Sequence, residues 1–266
     1  MTIIYILIEH LQSNTFSAFF GGQKLITLKR VSSTNDYLKE ELSKSTPFNE
    51  GTVIMAEDQL EGRGQAGNKW LTEPGKNLTF SLLLKPTFLN PIFQFNINIS
   101  ICVAIFEVLS PLLGSQLKIK WPNDIYVADK KLGGILIENS IQGNEIKDSI
   151  IGIGINVNQE NFTTVKNACS IKQLLHREYI LNDLLYELCK SIERNYFQLK
   201  KLGIVHQKPI YIKSLYGLNK IRKFNLEGVF VSGKIIDVDI DGRLIVDFNG
   251  HSAKFNFKEI EFVLNK

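Results

Sequence analysis

Apolar residues along the chain recur with two periods, and together these periods predict a mixed α+β fold. Short continuous apolar runs bounded by turn residues are typical of buried strands. One stretch instead repeats its apolar residues every three to four positions, which predicts a long buried helix. Strands are predicted at residues 2–8, 23–31, 52–56, 78–84, 119–121, 125–128, 132–138 and 146–157, and the long helix at 93–110.

Polar residues and glycine mark where two further helices begin and end. Residues 33–36, Ser-Thr-Asn-Asp, resemble a capping box, because a serine acceptor is followed three residues later by a carboxylate. The helix that follows is predicted to run to about Ser45. Asn182 is a candidate N-cap and Gly203 a candidate C-cap for another helix around residues 184–192.

The pattern changes near the C-terminus. From Leu226 onward short strands alternate with turns, and Asp241-Gly242 and Asn249-Gly250 are typical of hairpin connections. We therefore expect two domains. A mixed-sheet domain with helices largely on one face spans residues 1–217, and a small β-barrel spans residues 218–266.

Composition and charge narrow the class of protein. The net charge is +4 and Lys and Arg form no block, so no nucleic-acid-binding arm is expected. Three cysteines without a C-x-x-C pair and four histidines without metal-ligand spacing indicate reduced thiols, a cytoplasmic location and no structural zinc. We expect no membrane segment, because no apolar run approaches the roughly 18 residues of a span and the N-terminus reads as a strand.

A glycine-rich stretch, EGRGQAGNKW at residues 61–70, contains a G-x-G-x-x-G and is called the glycine loop below. This spacing binds dinucleotides only where a strand precedes it and a helix follows. Residues 57–61 separate the preceding strand from the glycines, and Pro74 and Gly75 prevent a following helix, so the dinucleotide interpretation fails. Two alternatives remain, a loop that approaches an anion and changes shape, or an ordinary flexible connection.

Five motifs occur together and in a specific order. They are STN (33–35), EDQLEGRGQAGNKW (57–70), KWPND (120–124), KLGGILIE (131–138) and GIGINVN (152–158). In this order and spacing the chain resembles the biotin–protein ligases, also called biotin–[acetyl-CoA-carboxylase] ligases. With the small C-terminal domain included, the resemblance covers nearly the whole chain. It implies a catalytic domain similar to class II synthetases and a C-terminal SH3-like barrel.

The resemblance implies a two-step reaction. Biotin and MgATP give biotinyl-5′-AMP and pyrophosphate, and biotin is then transferred to a lysine of a biotin carboxyl carrier domain with release of AMP. ATP and biotin are the expected substrates and Mg²⁺ the expected metal ion. The carrier of acetyl-CoA carboxylase is the expected partner, with another biotin-dependent carboxylase as the alternative. A homodimer is compatible with an exposed sheet edge.

Three residues are expected to carry the chemistry. Arg63 and Lys131 suit the neutralisation of a carboxylate attacking an α-phosphate. The resemblance implies that Asp124 is the carboxylate that receives the acceptor amine. Asp124 acts either as a base or by orienting and stabilising the cation. Without the resemblance, Lys131 can also be interpreted as a solvated lysine at the start of a strand, and Asp124 can be interpreted as a turn residue.

The resemblance also assigns binding residues. The biotin site comprises Ser33, Thr34, Asn35, Gln59, Gly62, Arg63, Gly64, Gln65, Lys131 and Gly134, and the ATP or adenylate site comprises Arg63, Trp70, Lys120, Asn123, Lys131 and Asn156. Hydroxyls and an amide suit the donors and acceptors of biotin's ureido ring. From the residues alone, alternatives stay open. Ser33, Thr34 and Gln59 could be a helix cap and a loop amide, Asn123 and Asn156 could be turn residues, and Trp70 could be a core tryptophan.

The glycine loop departs from the family pattern, which often reads GRGRRGRKW. Gln65, Ala66 and Asn68 stand at three of its basic positions. We therefore expect weaker neutralisation of phosphate by the loop, or compensation by Lys69.

Two other functions compete with biotin ligation. A lipoate–protein ligase uses the same adenylate chemistry, but its Arg-Arg-x-x-Gly-Gly-Gly run is absent. A non-catalytic carrier binder or DNA-linked biotin sensor is disfavoured by the intact Arg63, Lys131 and Asp124. Because 32 residues precede Ser33, we expect a short form without the N-terminal DNA-binding domain and without repressor activity.

Overall fold

The computed structural model describes residues 10–15, 24–44, 48–162 and 167–263, and a mixed eight-stranded sheet is its largest feature. The strands lie in the order β1-β2-β3-β4-β8-β7-β6-β5. Strands β2 and β3 run parallel, and the other neighbouring pairs are antiparallel. The bounds are β1 His10–Thr15, β2 Lys24–Val31, β3 Val53–Gln59, β4 Leu78–Leu84, β5 Leu117–Lys120, β6 Asp124–Val127, β7 Lys130–Gln142 and β8 Glu145–Ile155. The predicted strand at residues 2–8 lies outside the described residues.

Helices cover both faces of this sheet unequally, as predicted. Helix α1 packs on one face over a small core that includes Leu38, Ile54 and Leu83. On the other face α2, α4 and α5 share the large core with the sheet. The helices are α1 Thr34–Leu42, α2 Phe95–Leu113, α3 Ile171–Leu175, α4 Leu181–Leu202 and α5 Gln207–Lys213.

Helix α2 corrects one expectation from the sequence. An 18-residue window within the segment Pro91–Gln116 has a mean hydropathy of 1.9, so this segment is long and apolar enough for a membrane span by length and composition. The expectation that no apolar run approaches that length was therefore wrong. The reason is packing: Ile97, Ile101 and Ile105 are fully buried between the sheet and α4, which is typical of a core helix.

The predicted helix ends are partly confirmed. Ser33 is the N-cap of α1, and its Oγ accepts from the backbone N–H of Asp36 at 3.4 Å. The carboxylate of Asp36 faces Arg63 and does not complete a capping box. Helix α4 begins after Ile180, so Asn182 lies in its first turn and the predicted cap there was wrong. Gly203 ends α4 with φ of 67°, as expected.

Two short helices were missed. Helix α3 follows a capping box in which Ser170 and Gln173 exchange hydrogen bonds, and α5 carries Pro209 in its first turn. Both are shorter than the window over which helical periodicity can be read. The three cysteines are buried and free, in agreement with the expected reduced thiols.

The C-terminal region forms a five-stranded antiparallel sheet in the order β12-β11-β10-β9-β13. Both predicted hairpin pairs connect strands, and Asn249 and Gly250 have φ of 53° and 92°, as a type I′ turn requires. The first strand begins at Ile221, before the predicted position. The strands are β9 Ile221–Leu226, β10 Val229–Val238, β11 Leu244–Phe248, β12 His251–Phe255 and β13 Glu261–Phe262.

The two sheets share one hydrophobic core. Buried residues of the C-terminal sheet, including Phe224 and Val246, belong to the same cluster as α2 and β8. The indole N–H of Trp121 donates to the carbonyl of Gly242 at 2.8 Å, across the junction. A domain boundary at 217/218 and closure into an SH3-like barrel stay predictions.

Candidate active site

A cleft lies on the α1 face of the large sheet, between α1, the glycine loop and the turn that links β5 to β6. It encloses about 800 Å³ of empty space, counting its opening to solvent. The cleft is therefore an open groove, lined by residues from the sheet, the glycine loop and this turn.

Glycines flatten the floor of the cleft. Gly134 on β7 pairs with Gly154 on β8, and Gly152 pairs with Ser81 on β4. A Cβ on Gly154 would lie 2.4 Å from the ring of Trp70, and a Cβ on Gly152 would lie 2.5 Å from Asn35 Oδ1. The glycines of two motifs are thus needed because polar and aromatic side chains lie directly on the sheet.

One end of the cleft is a buried polar network at the start of α1. The backbone N–H and Oγ1 of Thr34 lie 2.9 and 3.2 Å from Gln59 Oε1. Ser81 Oγ lies 2.7 Å from Thr34 Oγ1 and 2.5 Å from Asn35 Oδ1. Asn35 Nδ2 donates to Glu138 Oε2 at 2.7 Å. These hydroxyls and amides offer both donors and acceptors to a ligand.

The glycine loop forms a small hairpin over the cleft. The backbone N–H of Trp70 donates to Gly62 O at 2.8 Å, and that of Gly64 donates to Asn68 O at 2.7 Å. Its tip is a short turn in which Ala66 and Gly67 have φ of 59° and 83°. No α-helix follows within the described residues around it, which agrees with the rejection of the dinucleotide interpretation.

Two buried polar atoms of the loop have no hydrogen-bond partner, Gln65 Oε1 and Trp70 Nε1. Both side chains line the cleft, so Trp70 is not the core tryptophan of the alternative interpretation. Unpaired buried donors and acceptors are costly, and a bound ligand is one way to satisfy them. They mark this side of the cleft as suited to a polar ligand.

Lys131 and Asp124 form an ion pair in the middle of the cleft. Lys131 Nζ lies 2.6 Å from Asp124 Oδ1, and both lie next to Gly134, where a Cβ would be 3.2 Å from that oxygen. Lys131 Nζ also lies 6.0 Å from the centroid of the Trp70 ring. Lys131 is therefore ion-paired and about one-third exposed, which differs from the free surface lysine of the alternative interpretation.

Lys120 brings a second cation to the cleft from the end of β5. Its ammonium lies 4.8 Å from the ring of Phe262 and 5.4 Å from that of Tyr126. Burial lowers the pKa of Lys120, against the opposing effect of the Asp124 carboxylate. Anionic groups of a ligand would act in the same direction as the Asp124 carboxylate and raise this pKa.

The turn from β5 to β6 is held rigidly behind these residues. The carbonyl of Pro122 accepts from Asn98 Nδ2 and from the hydroxyl of Tyr211, both at 2.8 Å. The side-chain amide of Asn123 donates to the carbonyl of Ile135. The peptide before Pro122 is cis.

Arg63 is engaged by two carboxylates. Its guanidinium contacts Asp36 at 2.6 Å and Glu138 at 2.8 Å. Burial alone would raise the pKa of Glu138, but hydrogen bonds from Asn35 and Arg63 outweigh burial and lower this pKa. The carboxylate of Glu138 is therefore charged at neutral pH and remains bound to the arginine.

Most of the predicted site residues come together in this cleft, although they are separated by as many as a hundred positions. Those that line it are Ser33, Thr34, Asn35, Gln59, Arg63, Gly64, Gln65, Trp70, Lys120, Asn123, Asp124, Lys131 and Gly134. Gly62 and Asn156 do not line it. A Cβ on Gly62 would lie 2.4 Å from Gln59 Nε2, and Asn156 Nδ2 donates to Cys169 O at 3.0 Å. For these two residues the geometry supports a structural role, and ligand contact stays a prediction.

Several residues at the cleft were not predicted. Glu138 and Ser81 do not line it but hydrogen bond the lining residues Asn35 and Thr34, and Glu138 was given no role although it stands in a recognised motif. Phe257 reaches the cleft from the segment between β12 and β13, with its ring centroid 6.3 Å from that of Trp121. No local signal announces Phe257, because its neighbours in the cleft lie more than a hundred residues earlier.

Comparisons with known proteins agree with this geometry. Residues 27–156 match the model of the biotin/lipoate A/B protein ligase family. The chain is 30% identical over 246 residues to the bifunctional ligase/repressor BirA of Bacillus subtilis, which covers 90% of this chain and 74% of the relative. It is 32% identical over 133 residues to the biotin–[acetyl-CoA-carboxylase] ligase of Paracoccus denitrificans, covering 49% of this chain and 53% of the relative.

A solved structure has the same fold over nearly the whole chain. The biotin protein ligase of Aquifex aeolicus, determined in complex with biotin and ATP, has a TM-score of 0.75 at 27% identity. The match covers 91% of this chain and 99% of the Aquifex chain.

Proposed function

Because the chain belongs to the biotin/lipoate A/B protein ligase family, we propose that it is an ATP-dependent biotin–protein ligase. It activates biotin to biotinyl-5′-AMP with release of pyrophosphate, and then transfers biotin to a lysine of a carrier domain with release of AMP. The observation that carries this proposal is the Lys131–Asp124 pair, which lies between a polar network and an aromatic, cationic region of one cleft. Biotin is favoured over lipoate because the relatives compared above are named as biotin ligases.

The polar end of the cleft suits the ureido ring of biotin. This ring presents one carbonyl acceptor and two N–H donors, and Ser33, Thr34 and Gln59 provide groups of both kinds. Asn35 adds an amide to the same network. We assign these residues, with the backbone of Gly64 and the side chain of Gln65, to biotin. Its carboxylate then points along the floor at Gly134 toward Lys131.

The aromatic and cationic region suits the nucleotide. Trp70 offers an indole face and an unpaired N–H, and Lys120 offers a positive charge. Asn123 completes this side from the rigid turn. We assign these residues to ATP and to the AMP part of the intermediate.

In the first step a biotin carboxylate oxygen attacks the α-phosphorus, and the bond to the bridging oxygen of pyrophosphate breaks. Both reactants are anionic, so positive charge must be present before they can meet. Lys131 lies where the carboxylate and the α-phosphate join, and Lys120 lies on the phosphate side. Since these lysines are held by Asp124, Phe262 and Tyr126, little reorganisation is needed when charge develops.

In the second step a lysine amine of the carrier attacks the acyl carbon of biotinyl-5′-AMP, and AMP leaves with the bonding electrons. The amine must be neutral, which costs roughly 4–5 kcal/mol at pH 7 for a lysine with a pKa of about 10.4. We assign Asp124 the role of orienting this amine and stabilising its developing positive charge. This role fits a carboxylate that is already ion-paired with Lys131.

The site is suited to Mg²⁺ bound together with ATP. Among the described residues no group of three or more His, Cys, Asp or Glu side chains is arranged to hold a metal ion. Mg²⁺ commonly takes one or two carboxylates and completes its shell with phosphates and water. Asp124 is the acidic residue among the described residues that line the cleft, so it would hold the ion, which would reduce the negative charge of the phosphates.

The partner is proposed from the same family membership. A ligase of this kind acts on the biotin carrier of a biotin-dependent carboxylase, and we propose the acetyl-CoA carboxylase carrier. A homodimer and a cytoplasmic location remain predictions of the sequence.

Pyrophosphate exchange tests the proposal directly. The protein is incubated with ATP, Mg²⁺ and labelled pyrophosphate, in parallel with biotin or with lipoate, and label entering ATP is measured. Exchange with biotin alone is expected, followed by a mass increase on a carrier domain when one is added. Exchange with lipoate alone would reassign the substrate, and no exchange with either acid would leave only a binding function.

A further inference from the structure

The position of the glycine loop over the cleft depends on more than its backbone. Its base is fixed, since Leu60 and Glu61 donate their backbone N–H groups to Val31 O and Ser32 O at 3.0 and 2.8 Å. Beyond Gly62 the loop turns back on itself, and most of its residues are exposed. A hairpin held at its base can swing about that base. Side-chain contacts therefore decide how it lies on the cleft.

Arg63 makes such contacts to two separate elements. Nε and Nη2 donate to the two carboxylate oxygens of Asp36 on α1 at 3.1 and 2.6 Å. Nη1 and Nη2 donate to those of Glu138 on β7 at 3.2 and 2.8 Å. Both pairs are two-point contacts, the geometry in which a guanidinium fixes orientation as well as distance. These three residues are called the Arg63 cluster below.

The Arg63 cluster is connected to the proposed biotin end. Glu138 also accepts from Asn35 Nδ2 at 2.7 Å, and Asn35 Oδ1 lies 2.5 Å from Ser81 Oγ. Ser81 is in contact with Thr34, which contacts Gln59 in turn. A shift of Glu138 would therefore disturb the loop and the biotin end together.

The charge of the Arg63 cluster opposes a direct role of Arg63 on phosphate. One guanidinium faces two carboxylates, so the cluster carries a net charge of −1. An arginine committed in this way adds no free positive charge for ATP, whereas Lys131 and Lys120 lie in the cleft with their ammonium groups. The role expected for Arg63 from the sequence, neutralisation of the reacting anions, is thus better filled by the lysines.

We infer that Asp36 and Glu138 are positioning residues of the ligase, which hold the glycine loop over bound biotin and biotinyl-5′-AMP through Arg63. The inference rests on the proposed function. The contacts of Arg63 slow the escape of the ligand, and they leave the chemistry at Lys131 unchanged. Their loss should therefore affect biotin affinity more than the rate of adenylation.

The test compares Asp36→Asn and Glu138→Gln with Glu41→Gln, a control that removes another carboxylate of α1, one that is paired with Lys44. Both cluster variants are expected to raise the KM for biotin about tenfold, and to change kcat for pyrophosphate exchange by less than about threefold. Trypsin should cut after the exposed Lys69 several times faster than in the wild type, because the loop is released. Glu41→Gln should match the wild type in each measurement.

Three outcomes would overturn the inference. They are unchanged tryptic cleavage at Lys69 in both cluster variants, a biotin KM equal to that of Glu41→Gln, and a lowered KM for ATP, which would mean that freed Arg63 acts on phosphate.

Thermal melting checks the fold, and Glu138→Asp, which keeps the charge, should restore part of the biotin affinity. A wild-type protein without pyrophosphate exchange would refute the proposed function, while the cleavage comparison would still report on the Arg63 cluster.

Discussion

The two faces of strands β4 and β8 differ sharply in composition, although each strand alternates between them residue by residue. One face carries Leu82, Ile151 and Ile153, which are buried in the large core. The other face carries Ser81, Gly152 and Gly154, which form the floor beneath the polar end and Trp70. Since successive residues of a strand point to opposite sides, one segment can supply stability on one face and chemistry on the other.

The difference shows why the cleft tolerates glycines and buried hydroxyls. These residues contribute little apolar area, and a strand interior made of them is weak by itself. The apolar face compensates, because it is covered by α2 and contributes fully buried side chains along the same strands. Substitutions on the apolar face should therefore lower stability, and substitutions on the cleft face should lower activity.

The largest effect is expected from the apolar face. Leu82 is 1% exposed, and Leu82→Ala should lower the free energy of unfolding by about 2–5 kcal/mol, because it removes buried methyl groups and leaves a cavity. Urea denaturation followed by far-UV circular dichroism measures this change. Biotin KM and kcat, measured at low temperature where the variant is folded, should stay close to the wild type. A loss of affinity without a loss of stability would contradict the separation of the two faces.

Lys131→Ala should give the next largest effect, on activity alone. Removing one preorganised charge from the reacting groups is expected to slow adenylation by about 10²–10³-fold. The free energy of unfolding should change little, since Lys131 is about one-third exposed and its ion pair is partly solvated.

Lys130→Ala is the matched control for Lys131, because it removes the exposed lysine immediately before it. Its rate of pyrophosphate exchange should equal that of the wild type. Equal losses in both variants would mean that general surface charge matters, and that the ion pair with Asp124 has no special role.

The pattern of apolar residues also determined which strands and helices could be predicted from the sequence. The strands around β4, β7 and β8 and the helix α2 follow from periodicity, because their apolar residues face one large core. The prediction that Asn182 caps α4 was wrong because the N-cap is Ile180, two residues earlier, a displacement below what periodicity resolves. Helices α3 and α5 are too short to show a period.

Some features of the site could also be predicted from the sequence and others could not. The motifs predicted Lys131 and Asp124 as site residues, but motifs do not indicate which side chains a loop contacts. The pairing of Arg63 with Asp36 and Glu138 joins residues 27 and 75 positions apart, and Phe257 enters from the C-terminal region. Such contacts depend on how the elements pack, which local sequence does not encode.

The smallest effect is expected from Ser81→Ala, the direct neighbour of Leu82 on the opposite face. Its hydroxyl lies between Thr34 Oγ1 and Asn35 Oδ1, so its loss leaves one buried acceptor unpaired at the proposed biotin end. The biotin KM should rise about fivefold to tenfold, in line with about 1–1.5 kcal/mol for one hydrogen bond. Ser149→Ala is the control, because this buried serine on β8 hydrogen bonds Asn139, which lies outside the polar end and does not line the cleft. If both variants lose stability equally and neither changes the biotin KM, the polar face serves only to hold the fold together.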